Sequence, residues 1–183
     1  FSDTVDAGKY ELTVNSLATQ ASGSISSAVK PSAEGTISIN GVSVNVKADM
    51  TQDEYIQALQ QAATEAGTTM EVGQSGIRFT SKDYGSDSNV NITLSASLSA
   101  LAGAGYKIAT DGSGNVESKN NGTDAVVTGG SNLSDKTIRA DGNRVYVVGN
   151  SGFSMDFLLS SDIDMTAGSK NLQIDISDIG NMA

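Results

Sequence analysis

The chain has 183 residues, a formal net charge of −10 and a pI of about 4.2. This acidity argues against nucleic acid and anionic membrane surfaces as partners, because both are bound through clustered Lys and Arg. Cys and His do not occur in the sequence. Their absence excludes Ser-His and Cys-His catalysis, disulfide bonds, and metal sites built from thiolates or imidazoles.

The composition favours small β-rich domains with thin cores. The hydrophobic share is 38%, the aromatic share is 5%, and Trp is absent, so any core must be built mainly from Val, Ile, Leu and Ala. Twenty Gly and one Pro indicate many tight turns between short strands. No apolar run approaches the roughly 20 residues of a membrane span, and no signal peptide is visible. We therefore expect a middle segment of a longer protein, with its native termini and targeting signal elsewhere.

The first 34 residues predict one strand followed by a connector. Residues 8–18 alternate apolar and polar side chains, with Tyr10, Leu12 and Val14 on one face, which is typical of a strand. Residues 19–34 are rich in Ser and Ala and contain Pro31. We interpret them as a connector with at most one strand, over residues 24–29.

Residues 35–46 predict a β-hairpin. Apolar residues alternate on both sides of Asn40-Gly41, at the positions Ile37, Ile39, Val42, Val44 and Val46. Asn-Gly supplies the two positive-φ positions of a type I′ turn, whose twist matches that of the flanking strands.

A helix is predicted over residues 52–66. Thr51 and Glu54 have the spacing of a capping box, and Gly67 is placed to end the helix. Apolar residues recur between them at helical spacing, at Tyr55, Ile56, Leu59, Ala62, Ala63 and Ala66. The amphipathic stripe is expected to face a sheet.

Three further strands, which complete the order β-β-α-β-β-β, and a β-rich C-terminal part follow the helix in the prediction. Met70 and Val72 begin a strand, residues 73–76 turn, Ile77 and Phe79 lie on the return, and residues 90–94 form the last strand of the unit. Residues 95–104 are of low complexity and fit a short helix or a bridge. Turns are predicted at residues 111–115, 120–122, 129–130 and 141–143, and strands near residues 124–128, 136–140, 144–148, 154–159 and 171–176.

The segment from residue 35 to residue 94 resembles the flagellin hook IN motif. The features shared with that motif are the Asn40-Gly41 turn, the capped helix and the stretch 78–85 (Arg-Phe-Thr-Ser-Lys-Asp-Tyr-Gly) before the final strand. The motif is found in the outer parts of bacterial flagellins, filament-cap proteins and hook-associated proteins. The resemblance implies a building block of an extracellular filament.

The two ends of the chain resemble different members of this group. The spacing of Gly8, Tyr10, Val14 and Leu17 is similar to a segment that precedes IN motifs in cap and hook-associated proteins. Residues 152–158 and 172–183 resemble the stretch by which flagellins return to their C-terminal helices. We give the second resemblance more weight, because a single strand is easily matched by chance. The resemblance to flagellins also implies that long terminal helices, absent here, join the subunits of the filament.

Four candidate chemical sites were weighed, and none is favoured. Ser27 and Lys30 match the Ser-x-x-Lys pattern of penicillin-binding enzymes, but the partner motifs are missing. Residues 111–117 resemble a calcium loop, but Val116 and Gly122 stand where an EF-hand needs Gly and Glu. Acidic residues and Asn-x-Ser/Thr sequences form the remaining candidates, which are Asp162, Asp164, Asp175 and Asp178, and Asn91, Asn121 and Asn132. The carboxylates fit the solvated face of strands, and bacteria are not expected to use the Asn-x-Ser/Thr sequences.

The sequence therefore predicts an α+β fold rich in β-structure, with a small IN-type hairpin, helix and sheet unit plus a mainly antiparallel β domain. Residues 34–104 are assigned to the nested IN-type domain, and residues 1–33 and 105–183 to an outer β domain made by both chain ends. The predicted role is structural and non-enzymatic, with no cofactor or metal. We expect the solvent-exposed outer region of a flagellin, secreted to the flagellum and monomeric as this segment. The alternatives are the outer domains of a filament-cap protein and a secreted adhesin or carbohydrate-binding module.

Overall fold

The computed structural model describes residues 9–129, 137–149, 154–160, 165 and 169–175. The chain divides into two compact units, which are Gln20–Gly122 (the nested unit) and Phe1–Thr19 with Thr123–Ala183 (the split unit). The elements follow one another as β1 (Lys9–Ser16), β2 (Gln20–Ile25), β3 (Gly35–Ile39), β4 (Val42–Val46), α1 (Gln52–Glu65), β5 (Thr68–Gly73), β6 (Gly76–Tyr84), β7 (Asn89–Leu94), a 3₁₀ helix (Ala96–Leu101), β8 (Lys107–Ile108), β9 (Val116–Asn121), β10 (Val126–Gly129), β11 (Thr137–Asp141), β12 (Arg144–Val148), β13 (Ser154–Leu158) and β14 (Lys170–Asp175).

The nested unit consists of two antiparallel sheets and one helix. The larger sheet has five strands in the order β4-β3-β7-β9-β8, and the smaller has three in the order β2-β6-β5. Helix α1 contacts β4 of the larger sheet and β5 of the smaller one. Their apolar faces enclose one core, which contains Ala21, Ile25, Ile37, Ile39, Val44, Val46, Tyr55, Leu59, Ala62, Ala63, Ile77, Phe79, Val90, Ile92, Leu94, Leu98 and Leu101. The predicted α+β, β-rich fold class is confirmed, as is the order β-β-α-β-β-β from β3 to β7.

The two best-defined local predictions, the hairpin turn and the capped helix, are confirmed. Asn40 has φ 49° and Gly41 has φ 84° between the paired residues Ile39 and Val42, so both turn positions have the positive φ of a type I′ turn. At the helix start, Glu54 N donates to Thr51 Oγ1 at 3.1 Å and Thr51 N donates to Glu54 Oε1 at 2.9 Å. This is the reciprocal pair of a capping box.

Two regions of the nested unit differ from the sequence prediction. A strand was expected at residues 24–29, but β2 runs from Gln20 to Ile25, because Ala21 and Ile25 are buried while its backbone pairs with β6. A turn was expected at residues 120–122, but Asn120 and Asn121 are the last residues of β9, which pairs with β7. Strands β2 and β9 therefore belong to the nested unit, and its boundaries lie after Thr19 and Gly122 instead of at residues 33 and 104.

The split unit contains two three-stranded antiparallel sheets, in the orders β10-β1-β14 and β11-β12-β13. The strands predicted near residues 124–128, 136–140, 144–148, 154–159 and 171–176 correspond to β10 to β14. The buried residues of this unit include Leu12, Val14, Ala125, Val145, Val147 and Leu159. Residue 130 of the predicted 129–130 turn lies outside the described residues.

The predicted turn at residues 141–143 joins several segments of the split unit. Asn143 is 9% exposed, and its Oδ1 accepts from Ala18 N at 2.8 Å. Its carbonyl accepts from Leu159 N at 2.7 Å, and the carbonyl of Gly142 accepts from Ala125 N at 2.9 Å. This hairpin turn is therefore a hydrogen-bonded part of the interior. In the described part of the chain, no helix has the length and apolar character needed to span a membrane.

Candidate functional site

The side chains of Ser27 and Lys30 form hydrogen bonds with the backbone of the loop between β2 and β3. Ser27 Oγ accepts from Val29 N at 3.1 Å, and Lys30 Nζ donates to the carbonyl of Pro31 at 3.1 Å. The loop is attached to α1 through Gln52, whose Oε1 accepts from Lys30 N at 2.8 Å. A nucleophile and its base must lie within hydrogen-bonding reach of each other, whereas these two side chains bond to separate backbone groups.

The predicted turn at residues 111–115 is confirmed, and the carboxylate of Asp111 accepts hydrogen bonds from within this turn. Asp111 Oδ1 accepts from Ser113 N at 3.0 Å and from Ser113 Oγ, and Ser113 Oγ accepts from Asn115 N at 3.2 Å. The hydrogen bonds from the side chain and backbone of Ser113 hold the pKa of Asp111 below its usual value. This is an Asx-type turn between β8 and β9.

The other candidates are dispersed or lie outside the described residues. Asp162, Asp164, Asp178 and Asn132 are not described, and nor is the side chain of Asp175, the last residue of β14. Asn91 lies within β7, and Asn121 is the last residue of β9. Among the described residues, no group of three acidic side chains is placed to hold a metal ion.

The densest polar contact in the nested unit is made by Asn40. Its Nδ2 donates to the carbonyls of Ala66 at 3.2 Å and Asn89 at 3.0 Å, and its Oδ1 accepts from Asn91 N at 2.8 Å. Ala66 is the C-cap residue of α1. The hairpin turn, the end of the helix and the start of β7 are thus joined by one side chain. The sequence identifies Asn40 as a turn residue but gives no sign of these contacts, since the partners lie 26 to 51 residues away.

Burial raises the pKa of two tyrosines in the nested unit, Tyr55 and Tyr106. The ring and hydroxyl of Tyr55 are fully buried, and the hydroxyl has no partner among the described residues. Burial raises the pKa of Tyr55 to about 12. Burial also raises the pKa of Tyr106, whose hydroxyl donates to the carbonyl of Ser24 at 2.7 Å. Among the described residues, neither hydroxyl forms a hydrogen bond with a carboxylate or a Lys side chain.

The outer face of the five-stranded sheet carries polar side chains in register, most of them short. Thr36 lies opposite Asn45, Ser38 opposite Ser43, Thr93 opposite Glu117, and Asn91 opposite Lys119. Neighbouring side chains bond to each other, as Ser38 Oγ and Ser43 Oγ do at 2.8 Å. The side chains of these pairs are exposed or half-buried, and such a polar surface interacts well with water.

The exposed face of β11-β12-β13 carries the two arginines described in the split unit. The guanidinium of Arg139 lies 4.5 Å from the centre of the Tyr146 ring, and Arg144 Nη1 lies 3.2 Å from Asp156 Oδ2. Both members of the ion pair are about half exposed, at 45% and 57%. Exposed pairs of this kind contribute little to stability.

The grooves on the nested unit are open to solvent. One, of about 310 Å³, is lined by residues of β2, β5 and β6 that include Ser24, Glu71, Val72 and Arg78. Another, of about 330 Å³, lies between the β2–β3 loop and the 3₁₀ helix and is lined by apolar residues that include Val29, Pro31 and Leu98. Their volumes are at the lower limit for small-molecule pockets, which usually enclose most of the ligand. The described surface of the nested unit thus consists of polar and mixed faces with open grooves.

Comparison with known proteins gives structural likenesses only. No protein-family model matches the chain, and no curated protein has a significant sequence match to it. The crystal structure of the D2-D3 domains of the flagellar cap protein FliD from Serratia marcescens aligns with a TM-score of 0.52 and 16% identity, over 94% of this chain and 96% of that one. FliD (HAP2) from Pseudomonas aeruginosa PAO1 aligns with a TM-score of 0.49 and 20% identity, over 91% of this chain and 86% of that one. The chain therefore shares its fold with the D2-D3 domains of the Serratia cap protein.

Proposed function

We propose that this chain is a structural, non-enzymatic part of a bacterial flagellum and forms the outer domains of a filament-cap protein. The observation that carries the proposal is the likeness to the D2-D3 domains of the Serratia marcescens cap protein, because it extends over nearly the whole of both chains. A match of one common substructure would carry much less weight. The location follows from the role, which places the chain outside the cell on the flagellum.

Features of the sequence support the same proposal. The IN-like stretch at residues 35–94 is of a kind found in cap proteins, and the spacing of Gly8, Tyr10, Val14 and Leu17 resembles the segment that precedes it there. An acidic chain without Cys, with short polar side chains on an exposed sheet face, suits a protein that is exported and stays soluble.

The second candidate is the outer region of a flagellin. It is favoured by the resemblance of residues 172–183 to the return segment of flagellins, although most of that stretch lies outside the described residues. The adhesin or carbohydrate-binding alternative has less support, since the chain has no Trp to stack against a sugar. The grooves of the nested unit are also open to solvent.

Immunogold electron microscopy of the source bacterium separates the three roles. Antibodies raised against residues 20–122 are applied to cells that produce the natural protein and to cells in which its gene is deleted. We expect gold particles at the filament tip of the producing cells and none on the deleted cells. Labelling along the whole filament would identify a flagellin instead. Labelling of the cell body alone would support an adhesin.

A further inference from the structure

The chain contains two Asn-Gly dipeptides, Asn40-Gly41 and Asn121-Gly122. In such a dipeptide the glycine nitrogen can attack the side-chain carbonyl carbon of the preceding Asn, because glycine has no Cβ to hinder the approach. The local chemistry of the two dipeptides is therefore the same. Their surroundings in the fold differ.

The side chain of Asn40 is held by three hydrogen bonds from or to backbone groups. Its Nδ2 is bound by the carbonyls of Ala66 and Asn89, and its Oδ1 is bound by Asn91 N. Ring closure on this residue requires rotation of the amide and the loss of these bonds. The native fold thus protects Asn40.

Asn121 is held less firmly. Its side chain is exposed at the end of β9 and, among the described residues, donates one hydrogen bond, from Nδ2 to the carbonyl of Ser86 at 3.2 Å. The nucleophile, Gly122 N, donates to the carbonyl of Ser88 at 3.1 Å. Both distances are near the long end for N–H···O bonds. Two bonds must therefore break to release the reacting groups here, against three at Asn40.

We propose that Asn121 is a site of spontaneous covalent modification in the folded protein. Gly122 N attacks Asn121 Cγ, the N–Cγ bond forms, the Cγ–Nδ2 bond breaks, and the amide nitrogen leaves as ammonia with the proton from Gly122 N. Solvent water then opens the cyclic imide at either carbonyl and gives aspartate or isoaspartate. No oxidation or reduction occurs.

The modification changes a contact within the split unit that begins one residue beyond Gly122. Thr19 N donates to the carbonyl of Thr123 at 2.9 Å, Thr123 N donates to Thr19 Oγ1 at 2.9 Å, and the two hydroxyl oxygens lie 2.8 Å apart. Isoaspartate adds one methylene to the backbone next to this contact, and both products add one negative charge. The fraction of molecules modified at Asn121 therefore rises with time, at the point where the chain passes from the nested unit to the split unit.

The test follows both sites in the full chain during incubation at mildly alkaline pH, with deamidated peptides quantified by mass spectrometry. We expect Asn121 to react roughly fivefold faster than Asn40 in the folded protein, since one fewer hydrogen bond must be broken. In urea the two rates should become similar. Asn121→Gln serves as the control, because it should abolish the product at residue 121 and leave the rate at Asn40 unchanged.

Two results would overturn the proposal. One is a native rate at Asn121 that does not exceed the rate at Asn40, which would mean that the two hydrogen bonds of Asn121 and Gly122 protect as well as the three of Asn40. The other is a rate difference that persists unchanged in urea, because the fold would then not be its cause.

Discussion

Asn40 and Asn91 exchange a pair of 2.8 Å hydrogen bonds, although they lie 51 residues apart. Asn40 N donates to the carbonyl of Asn91, and Asn91 N donates to Asn40 Oδ1. The first bond continues the ladder between β3 and β7, and the second replaces a backbone acceptor by a side chain. The turn residue therefore completes the pairing of the hairpin with the centre of the five-stranded sheet.

This arrangement predicts that Asn40→Asp destabilises the nested unit, although the two side chains have the same shape. The carboxylate still accepts from Asn91 N, but its second oxygen faces the carbonyls of Ala66 and Asn89, where Nδ2 donated before. We expect a loss of roughly 1–3 kcal/mol in the free energy of unfolding near neutral pH. Urea denaturation at that pH measures it.

The matched control is Asn45→Asp on the same hairpin. Asn45 is exposed, and its Oδ1 accepts from Thr36 Oγ1 at 3.4 Å, which a carboxylate oxygen can also do. We expect a change within about 0.5 kcal/mol. Equal losses from both substitutions would show that added charge alone is responsible.

A second prediction concerns the positive φ of Gly41. A Cβ at this position would meet no atom within 4 Å, so a substitution is opposed by the backbone conformation alone. Gly41→Val should destabilise the nested unit by roughly 1–3 kcal/mol, because a β-branched residue resists φ 84°. Thermal unfolding followed by circular dichroism measures the change.

Gly103 provides the control for Gly41, since a Cβ there also meets open space and its φ is not in the left-handed region. Gly103→Val should leave the melting temperature nearly unchanged or raise it slightly, through the lower entropy of the unfolded chain. If Gly41→Val were as harmless as Gly103→Val, the type I′ conformation of the turn would be wrong.

The sequence predicts those helices and strands whose own residues show the apolar pattern and the turn or cap residues of that structure. The hairpin β3–β4 has alternating Ile and Val on both sides of Asn-Gly, and α1 has a capping box followed by an apolar stripe, so the pattern and the turn chemistry agree. Strands β11 and β12 were found for the same reason, around Gly142.

Strand β2 was placed too late in the chain and strand β9 was missed, because the pairing of both is determined by neighbouring strands. β2 has the sequence Gln-Ala-Ser-Gly-Ser-Ile and β9 the sequence Val-Glu-Ser-Lys-Asn-Asn, both poor in the residues that favour strands. Each lies against a strand with a strong apolar pattern, β6 and β7 respectively. The polar contacts of Asn40 and Asn121 depend on the same long-range pairing, so no local pattern could reveal them.

A third prediction compares the hydroxyl of Tyr55, which is buried, with that of Tyr106, a half-buried residue. Tyr55→Phe removes a buried hydroxyl that has no described partner, so stability should be unchanged or should rise by up to about 1 kcal/mol. Tyr106→Phe removes the bond to the carbonyl of Ser24 and should cost about 0.5–1.5 kcal/mol. Urea denaturation of both variants tests the pair. A large loss from Tyr55→Phe would reveal a partner, such as a buried water, for its hydroxyl.

The raised pKa of Tyr55 predicts a loss of stability in alkali. Well below pH 10, the usual pKa of tyrosine, this side chain is neutral in both the folded and the unfolded chain. Between pH 10 and about 12 the unfolded chain loses the proton while the folded chain keeps it, so stability falls by up to about 1.4 kcal/mol per pH unit. The difference in unfolding free energy between Tyr55→Phe and the natural chain should therefore grow in favour of the variant across this interval. A difference in unfolding free energy that stays constant with pH would contradict the raised pKa of Tyr55.

The last prediction concerns association. The apolar side chains of α1 that would be needed for a helical seam, Tyr55, Leu59, Ala62 and Ala63, are buried within the nested unit. Exposed large apolar residues of that unit, Val29, Val72, Tyr84 and Ile108, lie on separate elements. The net charge of −10 adds repulsion between copies at low salt. We therefore expect this chain, taken alone, to sediment as a monomer at micromolar concentration. Sedimentation velocity at several concentrations and two salt levels measures this, and a dimer that persists at low micromolar concentration would require an interface on the faces described above.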